Sequence, residues 1–305
     1  MDYAIGVDVG GTNTVGGVVS AEGKILFRGH RFSESPSGRK RFLQILKSLV
    51  DELQKKMEGG RLKGIGFGLP GIMDQTDGTI RKSPHFPDWD DWKFRSELEP
   101  IFKTPLFFDN DANLIALGEA WTGAGRNIPD FLMMTLGTGI GGGIIIDHKV
   151  YHGTRGFAGE VGHIVVEPEG PDCCCGGKGC LEMYASATGI EWMLKEAGKK
   201  MTVEELSKLA QKGDALAVGI FKKVGFYLGI GIASLVNVLG VETVVIGGGV
   251  QKAWNFFMPV AEKEIARRVY KATAKSLKVV RASLGEDAGI LGAAGQVFND
   301  GRQSG

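Results

Sequence analysis

A strand–turn–strand unit occurs twice in this chain, and that repetition limits the possible folds more than any other feature. Val7-Asp8-Val9-Gly10-Gly11-Thr12, followed by Gly16-Gly17-Val18-Val19, has a counterpart in Met134-Thr135-Leu136-Gly137-Thr138-Gly139, followed by Gly142-Gly143-Ile144-Ile145. Each unit reads as an apolar strand, a Gly-Thr turn and a returning strand. Glycine permits tight turns and close backbone approach. The chain has 48 glycines in 305 residues, clustered in short runs and without a collagen period. Two such hairpins predict two related domains, with a ligand in the cleft between them meeting both turns. Chance likeness between two Gly-rich hairpins is the competing explanation.

The surrounding pattern alternates strands and helices, as in an α/β layer architecture. Strands are expected over 3–9, 15–19, 24–32, 64–69 and 105–108. A helix is expected over 39–57, because Phe42, Ile45, Leu46, Leu49, Val50 and Leu53 recur at helical spacing. A second half begins with strands over 131–136 and 142–146. It continues as an irregular stretch over 147–179, and helices dominate 181–239. Strands over 243–246 and 279–282 precede helices near 253–269 and 287–298. The most hydrophobic stretch, 224–239, is shorter than the ~20 residues of a membrane span, abuts Lys222 and Lys223, and contains Asn237. It reads as a core helix.

Charge and termini exclude several classes. A net charge of +1 offers no domain-wide basic surface for nucleic acid. Arg267, Arg268, Lys271, Lys275 and Lys278 fall at helical spacing and read as a solvated helix face. The opening residues lack the cationic and apolar regions of a signal peptide, and a cytoplasmic location is expected. All four cysteines fall within 173–180, which points to a metal and a reducing compartment rather than a disulfide framework.

Several short segments could carry chemistry. In Asp8-Val9-Gly10-Gly11-Thr12-Asn13, glycine N–H groups could close on a phosphate, and Asp8 could hold Mg²⁺. A plain hairpin turn explains the same residues. The segment is not a Walker A loop, which ends in Gly-Lys-Ser/Thr, nor a Rossmann fingerprint, which leads into a helix. Gly137-Thr138-Gly139 offers a similar cradle. Gly247-Gly248-Gly249, before a helix, would let a flat ring lie on bare backbone or simply make a tight turn. Asp109-Asn110-Asp111-Ala112-Asn113 ends an apolar strand and opens a helix. One capping residue would suffice there, yet four are polar, and an Asp at a strand end can act as general base for a hydroxyl. The most specific signal is Glu160-Val161-Gly162-His163 followed by Cys173, Cys174, Cys175, Cys180 and Glu182. Three cysteines and a histidine match a closed Cys₃His zinc site. Buried thiols or a redox pair are the alternatives. Acidic neighbours Glu167, Glu169, Asp172 and Glu182 argue against a nucleic-acid knuckle. Cys174 is the thiol left over.

Together these segments resemble the ROK family of sugar kinases and regulators, nearly end to end. The likeness rests on Asp8–Thr12, Asn110–Asn113, Leu136–Gly139, Gly159–His163, the cysteine signature 173–182 and Gly247–Gly249. It implies a two-domain, actin-like ATPase fold of the ribonuclease H-like, hexokinase type. A small domain over 1–113 plus 287–305 and a large one over 114–286, with a zinc-binding insertion, are expected. It further implies an ATP-dependent glucokinase with Mg²⁺ and one structural Zn²⁺. Asp111 would be the catalytic base, and Gly71, Asn110, Asp111, Glu160, His163 and Glu182 would bind the hexose. Asp8, Gly10, Gly11, Thr12, Asn13, Gly137, Thr138, Gly139, Gly248 and Gly249 would bind the nucleotide. His163, Cys173, Cys175 and Cys180 would hold the zinc, so that His163 serves metal and sugar with different ring nitrogens. A homodimer or homotetramer without nucleic-acid or membrane partners is implied. Two residues depart from the family pattern: His85 stands where an Asn is usual near the sugar, and Asn13 where many members have Lys. The alternatives are a kinase for N-acetylglucosamine, N-acetylmannosamine, fructose or allose, or a sugar-responsive regulator. Regulators carry a DNA-binding segment ahead of the first phosphate motif, and here Asp8 comes almost at once. A chaperone-like ATPase would leave the His–Cys cluster unexplained.

Overall fold

In the computed structural model, which describes residues 1–34, 38–57, 59–83 and 86–300, three antiparallel strands come first. They are β1 (Asp2–Val9), β2 (Asn13–Ser20) and β3 (Ile25–Phe32). The helix α1 (Gly38–Lys55) follows, then β4 (Arg61–Leu69) and a small hairpin, β5 (Ile72–Asp74) and β6 (Thr79–Lys82). Next come α2 (Phe94–Leu98), β7 (Leu106–Asn110) and α3 (Asp111–Thr122). The first sheet has the order β3-β2-β1-β4-β7, with β4 parallel to both β1 and β7. The second sheet contains β8 (Phe131–Leu136), β9 (Ile140–Ile146), β10 (Lys149–Val150), β11 (Thr243–Gly247) and β12 (Lys278–Arg281), in the order β10-β9-β8-β11-β12. Between β10 and β11 run α4 (Glu182–Ala185), α5 (Ala187–Glu196), α6 (Val203–Gln211) and α7 (Ala215–Leu239). Helix α8 (Trp254–Arg268) precedes β12, and α9 (Ala288–Asp300) follows it. This is the actin-like α/β fold expected from the resemblance.

Two compact units divide the chain. One comprises Met1–Pro129, Gly143–Ala158 and Ser283–Gly305; the other comprises Asp130–Gly142 and Gly159–Ala282. These limits differ from the expected breaks at 113 and 286. Helix α3 belongs to the first unit because it lies directly on α9: a Cβ at Gly292 would come 1.7 Å from Leu114 O. Segment 143–158 joins the same unit, with Gly143 against Ala116.

The first unit buries both faces of its sheet. Ile5, Val7 and Val9 face the apolar stripe of α1, whose Phe42, Ile45, Leu46, Leu49, Val50 and Leu53 are all buried as the spacing predicts. The alternate residues face α9. Gly66 is required on that side, since a Cβ would come 1.9 Å from Ala293 O. The β5–β6 hairpin and α2 were not expected. They cover a cluster in which Phe86 and Trp89 stack at 3.8 Å beside Trp92 and Phe94. His85 lies outside the described residues.

In the second unit, α7 has 25 residues and is long and apolar enough to cross a membrane by length and composition. It is longer than the expected 224–239 because Lys222 and Lys223 lie within the helix instead of flanking it. Asp214 caps its start by accepting from Ala217 N at 2.9 Å. It packs as a core helix: Gly225 and Gly229 let it approach the α8 carbonyls of Phe257 and Ala261. The basic run does not form one helix face. Helix α8 ends at Arg268, Lys275 closes a 3₁₀ turn and Lys278 starts β12. Arg267 and Arg268 pair with the buried Glu264. From 147 to 179 the chain is irregular apart from β10 and a 3₁₀ turn, Val161–His163.

Candidate functional site

In the first unit, the ends of β1 and β7 bring two carboxylates together. Asp8 pairs in register with Gly68 of β4, and Gly68 in turn pairs with Asp109 of β7. A Cβ at Gly68 would lie 3.5 Å from Asp8 Oδ1 and 3.7 Å from the Asp111 Cα. Glycine therefore leaves the space that these groups share. Burial, followed by the like charge of Asp111, pushes the Asp8 carboxyl up to about 7. Gly289, in the first turn of α9, also touches Asp8: a Cβ there would be 2.3 Å from Oδ2. That helix N-terminus favours the charged form and works against the two larger effects.

The Gly10–Asn13 turn is braced from β3 and the residue after it. Gly10 N donates to Asn13 O at 2.8 Å, Ser33 N to Thr12 O at 2.8 Å, and Ser33 Oγ to Gly10 O at 2.6 Å. Asn13 Oδ1 lies 2.8 Å from His30 Nε2. Gly10, Gly11, Thr12 and Asn13 therefore form a fixed turn beside Asp8, with the Gly10 N–H already used internally.

Capping, one of the two explanations for 109–113, is observed. Asn110 Oδ1 accepts from Ala112 N at 2.9 Å and Asn113 N at 3.3 Å, while its Nδ2 donates to Gly71 O at 2.9 Å. Gly71 has φ +102°, and a Cβ would strike Lys82 O at 2.1 Å, so only glycine fits. The Asn110 amide thus joins Gly71 to the start of α3. Asp111 is the first residue of that helix and is half-buried, with Oδ1 accepting from Ala112 N at 2.8 Å.

In the second unit, Gly137, Thr138 and Gly139 form a turn held by the helices that follow the cysteines. Gly137 N donates to Gly139 O at 2.9 Å. Ala187 N and Thr188 N, at the start of α5, donate to Gly137 O and Thr138 O at 2.9 and 3.1 Å. Glu182 Oε2 accepts from Ile140 N at 2.8 Å, and a Cβ at Gly139 would come 2.3 Å from that oxygen. Gly248, with φ +87°, lies against Leu136, where a Cβ would be 2.4 Å from the carbonyl oxygen. The third glycine run is therefore next to the second turn, and Gly249 faces open space.

His163, Cys173, Cys175 and Cys180 converge, their ligand atoms all within 4.8 Å of one another. Cys173 Sγ is 3.6 Å from His163 Nδ1, and Cys175 Sγ is 3.6 Å from Cys180 Sγ. A tetrahedral ion with zinc–sulfur bonds of about 2.3 Å and a zinc–nitrogen bond of about 2.0 Å needs ligand separations of about 3.5–3.8 Å. The donor set and its spacing fit Zn²⁺. Cys174 turns away to Glu182 Oε1, 3.5 Å distant, in agreement with its being the thiol left over. His163 Nε2 points to the other side, 3.9 Å from Glu160 Oε2. The two ring nitrogens thus face the cysteine thiols and a carboxylate.

Two acidic residues have structural roles that the sequence did not reveal: Glu119, which no motif singled out, and Asp109, named only as part of the polar segment 109–113. Glu119, fully buried, accepts from Ser283 N and Leu284 N at 2.9 Å and from Ala124 N at 2.6 Å, tying α3 to the lead-in to α9. Asp109, also fully buried, accepts from five donors, among them His152 Nε2 at 2.6 Å. A carboxylate within an otherwise apolar helix or strand was the available signal. Its partners, 164 and 43 residues away for Ser283 and His152, left none.

Comparison with known proteins identifies the family. The ROK family profile matches residues 4–298. The chain is 36% identical to a glucokinase of Thermotoga maritima, with 95% of each chain covered. It is 31% identical to a xylose repressor of Bacillus subtilis, covering 95% of this chain and 75% of the repressor. Among solved structures, the ROK hexokinase of Thermus thermophilus superposes with a TM-score of 0.87 at 32% identity, over 99% of both chains. A ROK glucokinase of Streptomyces griseus in complex with glucose and AMPPNP superposes with a TM-score of 0.80 at 32% identity, covering 96% and 98%. The chain belongs to the ROK family.

Proposed function

We propose that this protein is a glucokinase that transfers the γ-phosphate of ATP to the 6-hydroxyl of glucose. The observation that carries this reading is the corner at the end of β7, where Asp111 stands at the start of α3 beside Asp8. Phosphoryl transfer needs little covalent chemistry from the protein and much positioning. Asp111 takes the proton from the sugar hydroxyl as it attacks. Asn110, with Gly71 behind it, and Glu160, His163 and Glu182 bind the other hydroxyls. Asp8 holds Mg²⁺ on the nucleotide. Gly10, Gly11, Thr12 and Asn13, with Gly137, Thr138 and Gly139, bind its phosphates, and Gly248 and Gly249 receive the adenosine. Zn²⁺, held by His163 Nδ1, Cys173, Cys175 and Cys180, supplies a fixed anchor, so that His163 Nε2 keeps a set direction. The protein acts in the cytoplasm as a homodimer or homotetramer.

The similarity to glucokinases at 36% identity supports the choice of sugar. The xylose repressors at 31% identity, and a ROK transcriptional regulator superposing with a TM-score of 0.88, favour a second reading as a sugar-responsive regulator. A third reading keeps the kinase and changes the sugar to N-acetylglucosamine, N-acetylmannosamine, fructose or allose. An ADP-coupled assay over a hexose panel separates the three. Turnover highest with glucose supports the proposal, and turnover highest with another sugar moves the substrate. Tight sugar binding with no turnover on any hexose overturns the kinase reading.

A further inference from the structure

The carboxylate of Asp109 is fully buried next to Asn110 and Asp111, and no role in the proposed chemistry touches it. Its Oδ1 accepts from Asn110 N at 2.7 Å, Asn113 Nδ2 at 2.9 Å and Gln75 Nε2 at 3.0 Å. Its Oδ2 accepts from Gln296 Nε2 at 3.1 Å and meets His152 Nε2 at 2.6 Å. These donors come from β7, α3, the β5–β6 turn, α9 and the loop after β10, all within the first unit. Asn113 Oδ1 and Gln296 Oε1 find no hydrogen-bond partner among the described residues. Both amides give their donors to Asp109 and leave their own oxygens unmatched, which is costly in a buried site. An ordinary N-cap does not need this arrangement.

Of these partners only His152 can carry charge; Gln75, Asn113 and Gln296 are neutral amides. Its side chain is 33% exposed and can exchange a proton with solvent. The Ala158 N–H donates to its carbonyl at 3.1 Å, closing the loop that carries it. We propose that His152 is a positioning residue for the reaction: paired with Asp109, it holds the Asn110–Asp111 corner in working geometry. The route is short. Asp109 fixes the Asn110 N–H, Asn110 caps α3, and Asp111 is the first residue of that helix. Burial lowers the basicity of His152, but the hydrogen bond and charge of Asp109 outweigh it, so the imidazole stays protonated above its ordinary range. His152 therefore keeps its proton to higher pH than a free imidazole and gives it up as pH rises further.

The proposal rests on the role given to Asp111. Its test uses His152→Leu, which removes donor and charge, and His152→Gln, which keeps a donor near the Nε2 position without charge. His152→Leu is expected to lose about 10- to 100-fold in kcat/KM for the hexose, since small misplacements of reacting groups have effects of that size. The KM for ATP should stay unchanged. His152→Gln should recover most of the loss but lack the alkaline fall in kcat/KM expected of wild type as His152 gives up its proton. Hexose affinity measured by calorimetry without nucleotide should follow the same order and the same pH dependence. A folded His152→Leu protein with wild-type kcat/KM, hexose affinity and pH profile overturns the proposal. So does His152→Gln keeping the wild-type alkaline limb, a result that is readable even if the leucine variant does not fold. Wild-type protein that phosphorylates no hexose defeats the reading of Asp111 instead; the pH dependence of hexose affinity then still decides the role of His152.

Discussion

Asp8 shows how the burial of a single carboxyl next to a like charge sets a pH-dependent cost on stability. The Asp8 carboxyl rises on folding from an ordinary 3.8 to about 7. Between those values the folded chain holds a proton that the unfolded chain has released, so stability is lost as pH climbs through that window. Asp8→Asn should therefore be more stable than wild type at pH 8 in the absence of nucleotide and metal, by about 1–4 kcal/mol. At pH 4 the two should unfold alike. Denaturant titrations at both values check this, and an equal difference at pH 4 and pH 8 would show that Asp8 ionises normally. If Asp8 serves Mg²⁺ as proposed, the same variant should also lose kinase turnover. The position of Asp8 on a strand end was legible in the sequence, and so was Asp111 at a strand–helix corner. The closeness of the two was not, since it depends on Gly68 and Gly289 from other strands and helices.

At the scale of elements, the cysteine loop is the most demanding piece of backbone. Gly176 and Gly179 both have positive φ, +90° and +63°. They differ in surroundings. A Cβ at Gly176 meets nothing within 4 Å, whereas one at Gly179 would come 1.6 Å from Glu167 O. Gly176→Ala should cost about 1 kcal/mol from backbone strain alone, and Gly179→Ala at least about 2–3 kcal/mol with loss of metal. Melting temperatures and elemental analysis check the pair; equal losses would mean that the clash relaxes freely. Wild-type protein should carry about one zinc per chain. If removing the zinc leaves hexose affinity at its full value, His163 does not serve the sugar. Cysteine spacing made this loop readable, because few other arrangements explain so many thiols in a short span. By contrast, the start of α7 was hidden. Lys222 and Lys223 resemble a boundary in sequence, yet they are exposed residues inside a helix that also brings Gly225 and Gly229 against α8. The β5–β6 hairpin was equally silent, since strands of three and four residues leave almost no periodic signal.

For the whole molecule, the chain divides into two compact units, and the second of the two repeated hairpins is shared between them, since β9 crosses the limit at Gly142–Gly143. The unit limits were less legible, because α9, at the end of the chain, packs on β1 and β4 at its beginning. Glu119 and Asp109 are further ties of this kind, joining segments far apart in sequence around buried carboxyl groups. Family membership fixes the fold, while relatives include both kinases and repressors, so the decisive question is chemical. Phosphorus NMR of purified protein with glucose and Mg²⁺-ATP, run alongside Asp111→Asn, answers it most directly. Wild type is expected to form glucose 6-phosphate, with formation slowed by roughly 10²–10⁴-fold in the folded variant. Wild-type rates from Asp111→Asn, or ATP consumed without any sugar phosphate, would contradict that expectation.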